Sequence, residues 1–211
     1  KQQWNYGGRG LRRNSLGYPS LRGANQLLNA CAALAALEAL RDRLPVGAQE
    51  VRNGLVMVEL PGRFQVLPGR PNVILDVAHN PHAAATLAQN LSNMGFYRYT
   101  FAVFGAMHDK DIAGIIEHLK GHIDHWCITP LPLPRSALTG QLQQHLAEAG
   151  VMQKDTLGEE KTIFAFASPA DAYANALSRA SENDRIVVFG SFLTVAGVMA
   201  ARDIETHSGL T

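Results

Sequence analysis

A chain of 211 residues, 46% hydrophobic and 18% charged with a formal net charge of +1, holds enough apolar material for a globular core. The near-zero charge does not point to nucleic acid and no apolar run is long enough to cross a bilayer, so neither is an expected partner. Cys31 and Cys127 sit in apolar surroundings without disulfide or metal spacing, and no signal peptide is visible, which suits a reducing cytoplasm. The chain starts at Lys1 rather than Met, as expected of a processed product or a piece of something larger.

Residues 1–23 are rich in Gly, Arg, Asn and Pro. Gly7-Gly-Arg-Gly10 lacks the G-x-x-x-x-G-K-[ST] spacing of a phosphate loop and reads as a hairpin turn or linker. Residues 24–43 predict a helix, with Leu27, Cys31, Leu34, Leu37 and Leu40 at three- and four-residue spacing. Asn25, Gln26 and Asn29 fall in its first turns, where amides cap or meet solvent; Asn29 can alternatively face a ligand. Pro45-Val-Gly47 marks the expected domain boundary. A short helix over 48–55 follows, then the turn Leu60-Pro-Gly-Arg63 and a short strand at 64–67.

From Val73 the pattern is strand, loop, helix, repeated. Strands are expected at 73–77, 100–104, 126–129, 163–166 and 185–189. Helical stripes lie between them: Ala84, Leu87, Leu91 and Met94; Ile112, Ile115, Ile116 and Leu119; Leu138, Leu142 and Leu146; Tyr173, Ala176, Leu177 and Ala180. A mostly apolar helix closes the series from about Phe192 to Arg202. Asn80-Pro81, Asp111 and Ser168-Pro169 are helix-start signals. This alternation implies βαβ crossovers and an α/β, Rossmann-like domain with a mainly parallel sheet flanked by helices over 45–211.

Open α/β sheets bind ligands at the carboxyl ends of their strands. Three strand-end loops share that edge: Asp76–Asn80, Gly105–Asp111 and Gly190-Ser191. Asp76 can hold ribose hydroxyls or a cation, His79 a phosphate or carboxylate, and the amides around Ser191 an anion. Each also has a structural account, as loop cap, satisfied histidine or helix N-cap. No Ser-His-Asp relay is indicated, and His79 with His82 lacks a third zinc ligand at a diagnostic spacing, so no metal site is assigned in this chain.

The series Leu21-Arg-Gly-Ala-Asn-Gln-Leu-Leu-Asn29-Ala, Leu60-Pro-Gly-Arg63-Phe and Leu75-Asp76-Val-Ala-His79-Asn80-Pro81 resembles the Mur ligase family. Phe104-Gly-Ala-Met-His-Asp109-Lys-Asp111 and Val188-Phe-Gly-Ser191-Phe place the resemblance in its dihydrofolate synthase/folylpolyglutamate synthase branch. It spans essentially the whole chain, with Asn25 where the branch often has His. The resemblance implies an Mg2+- and ATP-dependent ligase that turns a dihydropteroate or folate carboxylate into an acyl phosphate, which L-glutamate's amine then attacks. By the same analogy Asn29 contacts adenine, Arg63 the phosphates and Asp76 the ribose. His79 and Ser191 are the catalytic candidates near glutamate and the transferred phosphoryl group, with Asn80, Asp109 and Lys110 as weaker members of that pocket. The family's P-loop, magnesium-binding acid and His, and modified lysine have no match in the 211 residues. The resemblance therefore implies a C-terminal portion, with 1–44 the tail of a central ATPase domain, 45–211 the glutamate-binding domain, and the absent ATPase domain as its partner. Two alternatives stand beside it: a ligase for muramyl precursors, and a non-catalytic nucleotide- or amino-acid-binding module.

Overall fold

The computed structural model describes residues 3–21, 23, 25–151 and 162–208, without the side chains of 162 and 204–208. Arg22 and Ala24 of the first motif lie outside the described residues. The chain forms two compact units, Lys1–Pro61 and Gly62–Thr211. Their division falls at 61/62 rather than at the expected 44/45. The helix after Pro45 explains the difference, because its Val51 and Leu55 join the same small core as Tyr6, Leu16 and Leu34.

In the first unit, β1 (Gln3–Gly7) and β2 (Arg12–Gly17) form an antiparallel hairpin whose register shifts between Trp4 and Tyr6. Only Tyr6 and Leu16 of these strands are buried, so little alternation marks them in the sequence. The glycine-rich turn binds a carboxylate of its own chain. Gly10 N donates to Glu38 Oε1 at 2.6 Å and the Tyr6 hydroxyl to Oε2 at 3.1 Å. A Cβ on Gly8 would fall 1.8 Å from Glu38 Oε2, so a larger residue there would push the carboxylate aside. The Gly10 amide, helped by Tyr6, holds the Glu38 carboxyl below the usual carboxylate range. The first helix, α1 (Gln26–Ala39), buries only Ala30 and Leu34. Leu27, Cys31 and Leu37 of the expected stripe are half-buried, and Leu40 is the exposed C-cap. Asn25 stands at the N-cap without a side-chain capping bond. Helix α2 (Ala48–Met57) completes this unit.

The second unit alternates as expected. In chain order it contains β3 (Gln65–Leu67), β4 (Asn72–Leu75), α3 (Pro81–Ser92), β5 (Thr100–Phe104), α4 (Ile112–Leu119) and β6 (His125–Ile128). Then come α5 (Thr139–Glu148), β7 (Thr162–Ala165), α6 (Pro169–Arg179), β8 (Arg185–Phe189) and α7 (Phe192–Ser208). The strands are ordered β3-β4-β8-β5-β6-β7, all parallel except β3, which runs antiparallel to β4. The mainly parallel Rossmann-like sheet is thus what the sequence leads one to expect.

Strand residues alternate between two cores, as the pleat dictates. Ile74, Ala102, Phe104, Trp126 and Phe189 face α3, α4 and α5, while Val73, Leu75, Val103, Cys127 and Val188 face α6 and α7. Both faces are covered, which is why the strands read as continuous apolar runs. Burial pushes the Cys127 thiol up to about 12, leaving it inert. The start signals cap as expected: Asn80, Asp111 and Ser168 accept from Ala83 N, Gly114 N and Asp171 N. Leu138 departs from its stripe; it is the N-cap of α5 and 65% exposed, leaving Leu142 and Leu146 to fill the core. Buried Arg185 ties β8 to α3, donating to Leu91 O at 2.8 Å and Thr100 Oγ1 at 2.9 Å beneath the Tyr97 ring. Among the described residues no helix is long and apolar enough to cross a membrane.

Candidate functional site

The strand order creates the site. β8 lies between β4 and β5, yet its following helix packs on the opposite face from theirs. Loops leaving neighbouring strands toward opposite faces open a crevice at the carboxyl edge, the switch point where α/β sheets take ligands. The three strand ends are tied together there. Gly190 N donates to Ala78 O at 2.9 Å, Asp76 N to Val188 O at 2.9 Å, and Thr194 Oγ1 to Gly105 O at 2.8 Å. Gly190 has φ +102°, and a Cβ on it would sit 2.5 Å from Gly105 O. Only glycine lets these ends approach so closely.

Asp76 is a clamp. Its Oδ1 accepts from Ala78 N at 2.8 Å and its Oδ2 from Phe64 N at 3.0 Å. Burial raises its carboxyl above the usual range against the opposing pull of those two amides and of Arg63. Phe64 is held at φ +45°, an uncommon backbone for a residue other than glycine, with its ring buried in the core. The turn is pinned further by Val77 N to Gly62 O at 2.8 Å and Gly62 N to Gln65 Oε1 at 3.0 Å. Arg63 is therefore carried on a short turn that two neighbouring residues anchor. A carboxylate oxygen accepts more than one donor, so clamping leaves Asp76 capacity for a ligand hydroxyl.

His79 places its Nδ1 2.9 Å from Val77 O. A carbonyl only accepts, so Nδ1 carries the proton in this contact, and in the neutral form of the ring Nε2 is the acceptor. The Phe192 ring lies 6.3 Å from the His79 ring, and the Arg63 guanidinium lies 5.5 Å over the same Phe192 ring. Phe192 is the first residue of α7 and is 57% exposed. Next to it, buried Ser191 accepts from Leu193 N at 3.2 Å through its Oγ, the arrangement expected of a helix N-cap. Arg63 and His79 thus flank Phe192 at the carboxyl edge of the sheet, next to Ser191, with Asp76 clamping the turn that carries Arg63.

The weaker candidates are engaged elsewhere. Asn80 Oδ1 caps α3 through Ala83 N at 2.9 Å. Asp109 pairs with Arg135 at 3.2 Å, both largely exposed, on two strand-end loops joined by an isolated bridge between Met107 and Ser136. Slight burial opposes ionisation of Asp109, but its own backbone N–H, Arg135 and Lys110 together hold the carboxyl below its ordinary range. Lys110 N donates to Met107 O at 3.2 Å, within that same loop. Asn29 belongs to the first unit, where it is exposed on α1 and its Nδ2 donates to Gln26 Oε1 at 3.2 Å. Among the described residues no three His, Cys, Asp or Glu side chains gather as a metal site.

Two residues escaped sequence reasoning. Arg135 looks like the end of a stiff Pro-rich loop until folding brings it to Asp109. Phe192 looks like core on an apolar helix. Its signal was position: a large aromatic directly after a strand-end Gly-Ser lies at the ligand edge.

The family described as "Mur ligase, glutamate ligase domain" matches residues 62–192. The dihydrofolate synthase/folylpolyglutamate synthase of Escherichia coli (strain K12) is 41% identical over 181 residues, covering 86% of this chain and 39% of that protein. The E. coli FolC structure in complex with ADP superposes with a TM-score of 0.77 at 37% identity, over 93% of this chain and 43% of the other. A bifunctional folylpolyglutamate synthase/dihydrofolate synthase with Mn, AMPPNP and L-glutamate bound gives 0.76 at 37% identity, over 92% and 43%. The chain spans roughly two-fifths of the length of these relatives. The division between the two units and the start of the matched region coincide at Gly62, with the crevice residues from Arg63 to Ser191 inside that region. The chain belongs to the Mur ligase family, of which residues 62–192 are the glutamate ligase domain.

Proposed function

We propose that this chain is the C-terminal part of an ATP-dependent amide ligase that joins L-glutamate to dihydropteroate and to folates. The observation that carries this reading is the 41% identity to a dihydrofolate synthase/folylpolyglutamate synthase, together with the gathering of Arg63, Asp76, His79 and Ser191 at the carboxyl edge of the sheet. In the proposed reaction a carboxylate oxygen takes the γ-phosphoryl group of ATP, releasing ADP. Glutamate's amine then attacks the acyl carbon, phosphate leaves, and the amine gives up a proton. Such a site works by positioning and neutralising charge.

Arg63 is suited to grip the phosphates, because its anchored turn limits the entropy lost when it engages an anion. Asp76 is assigned to the ribose and Asn29 to the adenine. His79 offers Nε2 to the amine or the phosphoryl group, and Ser191 stands beside it. Asn80, which caps α3, and Asp109 and Lys110, on the loop after β5, are assigned lesser parts in the same pocket. Mg2+ would neutralise charge on ATP, and its ligands are assigned to the part of the relatives that this chain does not span. A cytoplasmic setting suits these substrates.

That same part is the proposed partner of α1. Only Ala30 and Leu34 of this apolar helix are buried, and Leu28 is 69% exposed. The domain assignment follows: 1–44, with the helix after Pro45 that shares its small core, belongs with a central ATPase domain, and the second unit with the glutamate ligase domain. The test is glutamate-dependent ADP release with dihydropteroate, comparing this chain with the full-length protein. Activity in the full-length protein alone is expected. Activity with muramyl precursors instead, or none with either substrate, would overturn the reading.

A further inference from the structure

We infer that Phe192 is a positioning residue that aims Arg63 and His79 at the same point of the crevice. The inference rests on the ligase reading for its kinetic consequence, but its geometry stands alone. A single ring lies under the Arg63 guanidinium at 5.5 Å and beside the His79 imidazole at 6.3 Å, with the two rings tilted by 44°. These residues arrive from separate places in the chain: the turn before β3, the loop after β4 and the first turn of α7. Phe192 is itself 57% exposed, so core packing does not account for an aromatic there.

Its backbone is fixed on both sides. Ser191 caps the helix start through Leu193 N, and Thr194 Oγ1 bonds Gly105 O across to the end of β5. The backbone that carries the ring is thus anchored to the sheet edge. Arg63 has a rigid backbone but a long side chain with many rotamers. A cation placed over an aromatic face is attracted by the ring quadrupole, which narrows those rotamers before an anion arrives. His79 is held at Nδ1 by Val77 O, and the Phe192 ring 6.3 Å away is a neighbour that narrows the rotamers open to the imidazole. One aromatic face therefore sets the directions of a cation and a proton acceptor together.

Phe192→Leu keeps an apolar side chain and removes the quadrupole; Phe192→Trp keeps the aromatic face. Two measurements test the inference. The first is NMR of this 211-residue chain, following the Arg63 Nε–H and His79 ring C–H signals. Both are expected to carry ring-current shifts that vanish in Phe192→Leu and persist in Phe192→Trp. Unchanged signals in Phe192→Leu would overturn the inference whatever the enzyme does.

The second is steady-state glutamate ligation by the full-length protein. Phe192→Leu is expected to raise KM for ATP by about two- to fivefold, the worth of an exposed cation–π contact. Phe192→Trp should restore it. In an Arg63→Ala background Phe192→Leu should add no further change in KM for ATP, because the ring acts there through the guanidinium. Equal effects in both backgrounds would mean that Phe192 works independently of Arg63, and the inference would fall. An inactive wild type would instead count against the ligase reading, leaving the NMR result to decide the role of Phe192.

Discussion

Asp76 shows how one side chain serves fold and site together. Its two oxygens accept the amides of Ala78 and Phe64, so Asp76→Ala strands two partly buried donors. The expected loss is about 1–3 kcal/mol, measured by urea unfolding. Its carboxyl is also raised by burial, which sets the sign of a pH effect. An acid whose folded pKa exceeds its unfolded one binds its proton more tightly in the folded state. Its contribution is greatest when protonated in both states, falls as pH rises from the ordinary carboxylate range through the raised value, and is level above it. The stability difference between wild type and the non-titrating Asp76→Asn should therefore shift against wild type across that window. A difference that moved toward wild type with rising pH would contradict the assignment. Asp76 was legible as a site residue because an acid interrupts an apolar strand at its carboxyl end. Its clamp on Phe64 was not, since the partner lies twelve positions away in a turn of positive φ.

At the scale of elements, the meeting of β8 with β5 decides whether the crevice exists. Gly190 at φ +102° brings the exit of β8 against Gly105 O and the Phe104 ring. Gly190→Ala combines a strained backbone with a clash that cannot be relieved at a carbonyl, and is expected to destabilise by at least about 2 kcal/mol. Thermal unfolding of the variant reads this directly. Gly69, also at positive φ, has nothing within 4 Å of the point where a Cβ would stand, so alanine there meets backbone strain without the clash. The smaller loss expected at Gly69→Ala separates the two causes. The elements of this sheet were readable in advance because branched apolar runs alternate with stripes of helical period. Of the β1–β2 hairpin, the turn at Gly7–Gly10 was readable as a hairpin turn or linker but the strands were not, because two buried residues make no pattern.

For the whole molecule, α1 poses the test. Leu28 is 69% exposed on a helix that buries only Ala30 and Leu34. In this chain Leu28→Ser should change stability by less than about 0.5 kcal/mol, as exposed positions do. In the full-length protein the same change should be clearly destabilising, because the proposed ATPase domain would cover that face. Equal, small effects in both, read by denaturant unfolding, would leave α1 without a partner. The sequence by itself determined the βα alternation, the helix starts at Asn80, Asp111 and Ser168, and the strand-end loops that carry Asp76, His79 and Ser191. Those follow from local period and local capping, which a one-dimensional chain displays. Only the tertiary structure decided that β8 inserts between β4 and β5, that the glycine-rich turn encloses Glu38, that Asp109 meets Arg135, and that Phe192 joins Arg63 to His79. Each of these is a contact between residues distant in sequence. Its energy depends on how the strands are ordered and which face each helix covers, and no local spacing encodes that order.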